Sequence, residues 1–328
     1  MESLIFAFNS VSPIIIMVAI GYVLKKIGFM PEDFAKKANK LVFRVFLPAM
    51  LFLNIYGIES VRDVEFGYAV YAVCALLIVF GLAIPTVILL TGKKRCRGAL
   101  LQAIFRSNYA LIGIPLASSL FPGEGAAVAT LLSAFVVPTF NILAVIGLSI
   151  FNNNGEKPNF KKVLIGILKN PLIISIAAGM VAIGLRALFV EVGVDFRLSN
   201  IPAIYKSLSY LSNIATPLSL LILGAQFEFS AIPALKREII SGVLLRSVVV
   251  PILGIGVAYL FFRDSFGGAH FAALVATFCT PVAVSSVPMA QEMGADTDLA
   301  GQLVVFTTIT SAFTIFVASF LLRAVGIF

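Results

Sequence analysis

Ten apolar runs, each long enough to cross a lipid bilayer as a helix, fill most of this 328-residue chain. A spanning helix needs about 20 consecutive, mostly apolar residues. The bilayer interior offers no water to pair with backbone polar groups, so spanning segments must satisfy those groups internally. We therefore predict an all-α integral membrane protein with spans at residues 4–24, 41–58, 66–91, 98–121, 124–150, 163–189, 199–225, 239–262, 269–292 and 299–322.

The composition argues against an enzyme or a nucleic-acid-binding protein. Charged residues make up 12% of the chain, about half the share in a typical soluble domain, and hydrophobic residues make up 60%. The apolar runs leave no room for a soluble catalytic domain. The sequence has neither a GxxxxGK nucleotide loop nor an HExxH metal motif, and His270 is its one histidine. We expect no enzymatic activity, no cofactor and no nucleic-acid partner.

Two of the apolar runs are interrupted in matching places. The first reads RSNYALIGIPLASSLF (Arg106–Phe121) and the second reads FCTPVAVSSVPMAQEM (Phe278–Met293). A helix breaks inside a membrane only where protein or a water-filled cavity satisfies the freed backbone groups. Paired broken spans at corresponding positions of two halves are typical of the binding site of a secondary transporter. Ordinary kinked spans are the alternative interpretation.

The residues of the two breaks suit the binding of an anion. The second half of a broken helix presents free N–H groups and a partial positive charge toward mid-membrane. Asn108 adds an amide donor, Gly113 permits close approach, and Pro115 removes a backbone donor. The second run supplies comparable residues at Thr280, Pro281, Val282, Ser285, Ser286 and Pro288.

Three further polar residues within spans are candidates with two interpretations each. An arginine inside a membrane span is a functional hypothesis by default, so Arg106 and Arg246 could bind substrate or act in gating. Both could instead extend their side chains to the inner surface. Asn141 lies in the middle of span 5 and could reach the broken spans, or form an ordinary hydrogen bond between helices.

The two halves of the chain resemble each other in the order of their prolines. Five spans per half is an odd number, so the second half would enter the membrane from the opposite face as an inverted repeat. This predicts a first repeat at 1–150, a short cytoplasmic junction at 151–162 and a second repeat at 163–328. Prolines are frequent in spans, so chance alignment of some pairs is the alternative. The pairs are Pro13 with Pro171, Pro48 with Pro217, Pro85 with Pro251, Pro115 with Pro288, and Gly123 with Gly294.

Basic residues predict the orientation of the protein in the membrane. Sixteen of the 24 Lys and Arg residues lie in or beside odd-numbered loops. Loops rich in Lys and Arg stay in the cytoplasm. We therefore predict a multi-pass protein of the cytoplasmic (plasma) membrane with both termini outside. The basic residues are Lys25, Lys26, Lys36, Lys37, Lys40, Arg44, Lys93, Lys94, Arg95, Arg97, Lys157, Lys161, Lys162, Lys169, Lys236 and Arg237.

The chain resembles the auxin efflux carrier family along all ten spans. SNYALIGIPLASSLFPG resembles the Asn-x-x-x-x-Gly-x-Pro-Leu segment of that family's span 4. The short central junction is similar to that of bacterial and archaeal relatives, some of which are described as malate or malonate permeases. The other matching segments are VFRVFLPAMLF (42–52), ILKNPLIISIAAG (167–179), LSNIATPLSLLILGA (211–225) and CTPVAVSSVPMAQEMGADTDLA (279–300).

The resemblance implies a fold similar to that of bile acid/sodium symporters and a role for individual residues. Spans 1, 2, 6 and 7 would form a scaffold, and spans 3–5 and 8–10 a moving transport unit in which spans 4 and 9 cross. Asn108 and Pro115 match the span 4 motif, and Pro281 matches the proline of the span 9 crossing, where the internal repeat instead indicates Pro288. Asn213 would face the site, and Leu47 would line its scaffold side. The family also implies a homodimer.

The predicted function is secondary transport of a small organic anion by alternating access. Malate, malonate and auxin-like acids are the candidate substrates that the resemblance implies. A passive anion channel and a cation-coupled symporter of another organic anion are the alternatives. No Asp or Glu lies at the middle of a span, so a proton relay is not visible, and sodium coupling, proton coupling and uncoupled transport all stay open.

The predicted orientation can be tested by cysteine labelling. An Asn153→Cys substitution in the central junction is expected to react with an impermeant maleimide only from the cytoplasmic side, because flanking lysines retain that loop inside. Labelling of intact cells and of inverted vesicles would be compared. Modification in intact cells would contradict the predicted topology.

Overall fold

The computed structural model describes residues 2–57, 66–151, 160–191, 193–194 and 196–328. The described chain is 85% helical and contains no strand, which confirms the all-α prediction. The helices are α1 (Glu2–Lys26), α2 (Glu32–Leu41), α3 (Leu47–Tyr56), α4 (Phe66–Leu90), α5 (Lys94–Phe105), α6 (Ile114–Leu120), α7 (Gly125–Phe151), α8 (Phe160–Leu168), α9 (Pro171–Glu191), α10 (Pro202–Gln226), α11 (Ile232–Leu244), α12 (Val257–Phe262), α13 (Gly268–Phe278), α14 (Ser286–Glu292) and α15 (Thr297–Ala324).

Wider π-helical turns join some of these helices into longer rods. Val42–Phe46 connects α2 to α3, Tyr109–Gly113 leads into α6, and two further turns lie between α11 and α12. In the described chain, seven continuous helical stretches are long and apolar enough to cross a membrane. Two shorter apolar helices, Tyr109–Leu120 and Gly268–Phe278, belong to the predicted spans 4 and 9. The protein is therefore a multi-pass membrane protein. Most of the predicted junction lies outside the described residues.

Local sequence signals explain where several helices begin. Proline is the first residue of both α9 (Pro171) and α10 (Pro202), a position where its missing N–H costs no helical hydrogen bond. Pro31 directly precedes α2. Glu32 and Asp33 lie in the first turn of α2, where carboxylates interact favourably with the helix dipole.

The helices pack in two groups. Helices α1, α3, α9 and α10 contact one another, as do α4 to α7 together with α11 to α15. Helix α1 also packs against α15 and so connects the groups. Within the second group, α13 is buried on all sides from Phe271 to Phe278, and α5 is buried from Gly98 to Phe105. A helix that is apolar and buried all round lies in the interior of a bundle, so the ends of α5 and α13 meet inside the protein.

Two glycines let α1 and α10 pack backbone against backbone. A Cβ atom placed on Gly21 would lie 2.1 Å from the carbonyl oxygen of Leu221. A Cβ atom placed on Gly224 would lie 1.9 Å from the carbonyl oxygen of Val18. Small residues at helix interfaces permit this approach in membranes, where association depends on van der Waals packing. Any side chain at either position would force the helices apart.

A Gly224→Val substitution is therefore expected to destabilise the protein by at least about 1–3 kcal/mol, because the obstructing atoms belong to the backbone of α1. The measurement is the thermal unfolding midpoint in detergent. Gly81→Val in α4 is the matched control, since a Cβ atom at Gly81 meets nothing within 4 Å. Equal midpoints for the two variants would show that the close helix packing is not required.

Candidate functional site

Both predicted interruptions are real breaks in helical structure. Helix α5 ends at Phe105, residues 106–108 are not helical, and the chain becomes helical again at Tyr109. Helix α13 ends at Phe278, and helix α14 begins only at Ser286. Each break leaves backbone carbonyl and N–H groups without helical partners, and these groups must be paired elsewhere inside a membrane.

The two breaks satisfy each other's backbone groups. Ser107 and Val282 form an isolated antiparallel β-bridge. The backbone N–H of Asn108 donates to the carbonyl oxygen of Pro281 at 2.8 Å. The hydroxyl groups of Ser107 and Thr280 are hydrogen-bonded to each other. The backbone N–H of Val282 donates to the hydroxyl of Thr307 at 3.2 Å, so α15 also contacts this point.

The two prolines that the sequence analysis offered for the span 9 crossing, Pro281 and Pro288, lie in different surroundings. Pro281 lies where the two breaks meet, because its carbonyl is the acceptor for Asn108. Pro288 lies instead within α14, and Pro115 is the second residue of α6. Pro288 is the third residue of the helix that follows its break, whereas Pro115 is the seventh residue of the helical stretch that begins at Tyr109. The pairing from the repeat and the pairing from the family resemblance describe different features of the same region.

Arg106 is buried in the first break and does not extend to the membrane surface. Arg106 is only 3% exposed. One terminal nitrogen donates to Gln102 Oε1 at 2.9 Å, and the other donates to Asn141 Oδ1 at 2.7 Å. Asn141 therefore links α7 to the break. The remaining contacts of the guanidinium are to Ser285 Oγ, Ser286 Oγ and Met289 Sδ.

Arg246 is buried on the other side of the breaks and contacts only backbone carbonyls. Its Nε and Nη2 atoms donate to the carbonyl oxygen of Thr280 at 2.9 and 2.6 Å. Nη2 also approaches the carbonyl of Thr277, and Nη1 approaches those of Ile104 and Phe105. The oxygens of Ile104, Phe105 and Thr277 lie in the last turns of α5 and α13, where the helix dipole is negative, and Thr280 follows two residues after α13. Arg246 thus closes the carbonyl ends of both broken helices.

Two buried amide nitrogens beside the breaks have no hydrogen-bond acceptor in the structure. They are Asn108 Nδ2 and Gln102 Nε2. Asn108 is 9% exposed and Gln102 is 1% exposed. A buried donor left unpaired costs about 1–3 kcal/mol. The region around the breaks is therefore rich in donors that await an acceptor.

A cavity of about 260 Å³ lies between α3 and the helices that follow the first break. Ala110 and Ile114 line one side, and Val137 of α7 lies at its wall. Its polar groups were not among the predicted site residues. They are Asn54, Thr130 and Ser133. Asn54, a single amide in an apolar run, was the available sequence signal.

The structure places the other predicted residues in different surroundings. Gly113 packs tightly on α13, because a Cβ atom there would lie 3.1 Å from both the Cβ and the carbonyl oxygen of Ala276. Leu47 is buried at the start of α3. Asn213 is exposed on α10 and lines a separate groove with Tyr210 and Pro217, so it does not share a cavity with Asn108.

The described part of the chain holds no group of three or more His, Cys, Asp or Glu residues that could ligate a metal ion. The donors near the breaks are amides, hydroxyls and guanidinium groups. Amide and guanidinium N–H groups suit an anionic ligand and not a metal cation.

Comparison with known proteins agrees with a transport function. A family model described as membrane transport protein matches residues 6–319. An uncharacterized transporter of Methanothermobacter thermautotrophicus is 23% identical over 314 residues, covering 92% of this chain and 94% of that protein. An uncharacterized transporter of Methanocaldococcus jannaschii is 26% identical over 247 residues, covering 73% and 74%. The predictions of a transporter and of no enzymatic role are confirmed, and the chain belongs to the membrane transport proteins of the auxin efflux carrier family.

Proposed function

We propose that the protein is a secondary carrier that moves small organic anions, such as malate, malonate or auxin-like acids, across the cytoplasmic membrane. The observation that carries this proposal is the buried, unpaired amide nitrogen of Asn108 at the point where the two breaks meet. A carboxylate accepts hydrogen bonds and offers several acceptor sites, so it would satisfy this donor.

The helix that follows Asn108 supports the choice of an anion. It runs from Tyr109 to Leu120 and presents its N-terminus, with a partial positive charge, toward the break. Helix α14 has only seven residues, so the second break contributes less through its dipole than the sequence suggests. In this proposal Asn108 binds the carboxylate. The other residues that would form the site around it are Gly113, Pro115, Asn141, Thr280, Pro281 and Val282.

The proposed architecture is ten spans in two inverted repeats, with a scaffold of spans 1, 2, 6 and 7. The packing of α1, α3, α9 and α10 as one group supports this division. Spans 4 and 9 would cross at the contact between Asn108 and Pro281. Alternating access would arise as the remaining spans shift against the scaffold. Leu47, Asn213 and Asn108 do not line the cavity beside the breaks, so in this proposal the substrate reaches all three only after such a shift.

The contacts between the two groups of helices support a carrier. On the predicted cytoplasmic side, Gln226 Nε2 of α10 donates to Gln291 Oε1 of α14 at 2.9 Å. Arg44 approaches Glu292 at 4.0 Å across the same interface. The cavity lies at the other end of α3, toward the predicted outside. Contacts that close one side, with a cavity toward the other, are what a carrier in one of its two access states is expected to show.

The coupling ion and the assembly are parts of the proposal that need direct measurement. Sodium, a proton or no ion at all could be coupled to the anion, and the family resemblance favours a homodimer in the membrane. Uptake into proteoliposomes with and without imposed sodium and proton gradients distinguishes the coupling modes. Counterflow, which a passive channel cannot produce, distinguishes a carrier from a channel.

Asn108→Ala is expected to lower the affinity for the transported carboxylate roughly 10- to 100-fold, because a hydrogen bond to a charged group contributes about 1.5–3 kcal/mol. The measurement is saturable uptake of radiolabelled malonate, malate, succinate and indole-3-acetate. Asn39→Ala is the matched control, since Asn39 is also a buried, unpaired amide but lies in α2, away from the breaks. Unchanged uptake by Asn108→Ala would contradict the site.

Pro281→Ala is expected to reduce the transport rate more than Pro288→Ala. Alanine at position 281 introduces an N–H group in the buried break and allows the helix to extend, which would disturb the contact with Asn108. Position 288 already lies in the first turn of α14, where an added N–H is tolerated. Initial uptake rates of equal amounts of reconstituted protein would be compared. A greater loss with Pro288→Ala would move the functional crossing to α14.

A further inference from the structure

The two buried arginines beside the breaks differ in what compensates their charge. Among the described residues, neither Arg106 nor Arg246 forms an ion pair with an Asp or Glu. Burying a cation is costly unless it is paired with negative charge or fully hydrogen-bonded. Each arginine must therefore be explained by its neighbours.

Arg246 is compensated by the protein itself. Its guanidinium lies against carbonyl oxygens from the last turns of α5 and α13, and it donates two hydrogen bonds of 2.9 and 2.6 Å to the carbonyl of Thr280, two residues after α13 ends. The carbonyl end of a helix carries about half a negative charge, so two such ends offset one cation. Arg246 needs no further anion and serves to hold the broken helices together.

Arg106 has no comparable compensation. Its acceptors are the neutral side chains of Gln102, Asn141, Ser285, Ser286 and Met289, and no backbone carbonyl at a helix end is among them. Neutral acceptors satisfy the N–H groups, but they leave the net charge unbalanced. The residue is 3% exposed, so water does not screen this charge.

The unpaired donors of the region flank Arg106 on both sides along the chain. Gln102 lies one helical turn before Arg106, and Asn108 lies two residues after it. Gln102 Oε1 accepts from Arg106, which assigns the unpaired Nε2 atom as a donor. Gln102 is hydrogen-bonded to Arg106, Asn108 is two residues away along the chain, and none of the three side chains has an anionic partner among the described residues. A ligand that satisfies them must be both an acceptor and negatively charged.

We propose that Arg106 is the counter-charge for the carboxylate of the transported molecule and makes the carrier select anions over neutral molecules of the same shape. This inference rests on the proposed carrier function. A chain of contacts connects Arg106 to the cavity: its partner Asn141 also donates to the backbone carbonyl of Val137, one turn earlier in α7, at 2.8 Å, and Val137 lines the cavity. In this proposal, displacement of the Asn141 side chain would open the way from the cavity to the guanidinium.

The test compares malonate with its neutral diamide, malonamide, on the full chain in detergent and in proteoliposomes. For the wild type, we expect malonate to raise the thermal unfolding midpoint and malonamide to have no effect. Arg106→Gln is expected to weaken malonate binding about 10- to 100-fold and to abolish the preference for the anion. Arg106→Lys retains the positive charge but loses the planar set of guanidinium donors. It is therefore expected to keep the preference for malonate over malonamide, with reduced affinity for malonate.

Two control variants separate binding from folding. Arg246→Gln is expected to lower the unfolding midpoint without ligand, because it leaves the carbonyl ends of α5 and α13 unpaired. Arg263→Gln removes an exposed arginine and is expected to change neither stability nor the malonate response. If Arg106→Gln does not fold, Arg106→Lys decides the question. A lysine variant without any preference for malonate would overturn the proposal.

The outcomes distinguish this inference from the carrier proposal. Equal malonate affinity and uptake in the wild type and in Arg106→Gln would overturn the role of Arg106 and leave the carrier intact. Failure of the wild type to bind or transport any carboxylate would overturn the proposed substrate class. In that case, stabilisation of the wild type by chloride or sulfate that Arg106→Gln loses would support Arg106 as an anion site, and its absence would overturn this role as well.

Discussion

The pairing of backbone groups at two broken helices is the constraint on which the rest of the structure depends. A helix that ends inside a membrane leaves carbonyl and N–H groups that lipid cannot satisfy. Here each break supplies partners for the other, through the bridge between Ser107 and Val282 and the bond from Asn108 to Pro281. The breaks must therefore lie at the centre of the bundle, and the buried helices α5 and α13 place them there.

The same breaks determine the electrostatics of the region. Their carbonyl ends attract one cation, and Arg246 occupies that place with hydrogen bonds to Thr280. The amide side chains beside the breaks have unpaired donors, and Arg106 adds a positive charge there without an acidic partner in the described chain. A transporter must bind its substrate and release it, and in the proposed carrier the substrate would satisfy the unpaired donors. Binding would then restore the stability that the unpaired donors cost.

The sequence predicted most of the spans and both breaks, because each depends on local chemistry. Apolar runs of about 20 residues specify spanning helices regardless of their neighbours. The predicted span 10, for example, was residues 299–322, and α15 covers Thr297–Ala324. The sequence did not show that Asn54 lines a cavity with Thr130 and Ser133, since these residues come from separate helices. Nor did it show that Asn213 lies in a groove apart from Asn108.

The sequence by itself determined the membrane environment, the all-helical fold, the family and the location of the breaks, because hydrophobicity and helix-breaking residues act within a few turns of chain. The tertiary structure decided how the breaks are joined and what each buried arginine does. Arg106 and Arg246 are alike in sequence, each a single charge in an apolar run. They differ in whether packing brings them backbone carbonyls from helix ends or neutral side-chain acceptors, and that depends on residues up to 183 positions apart.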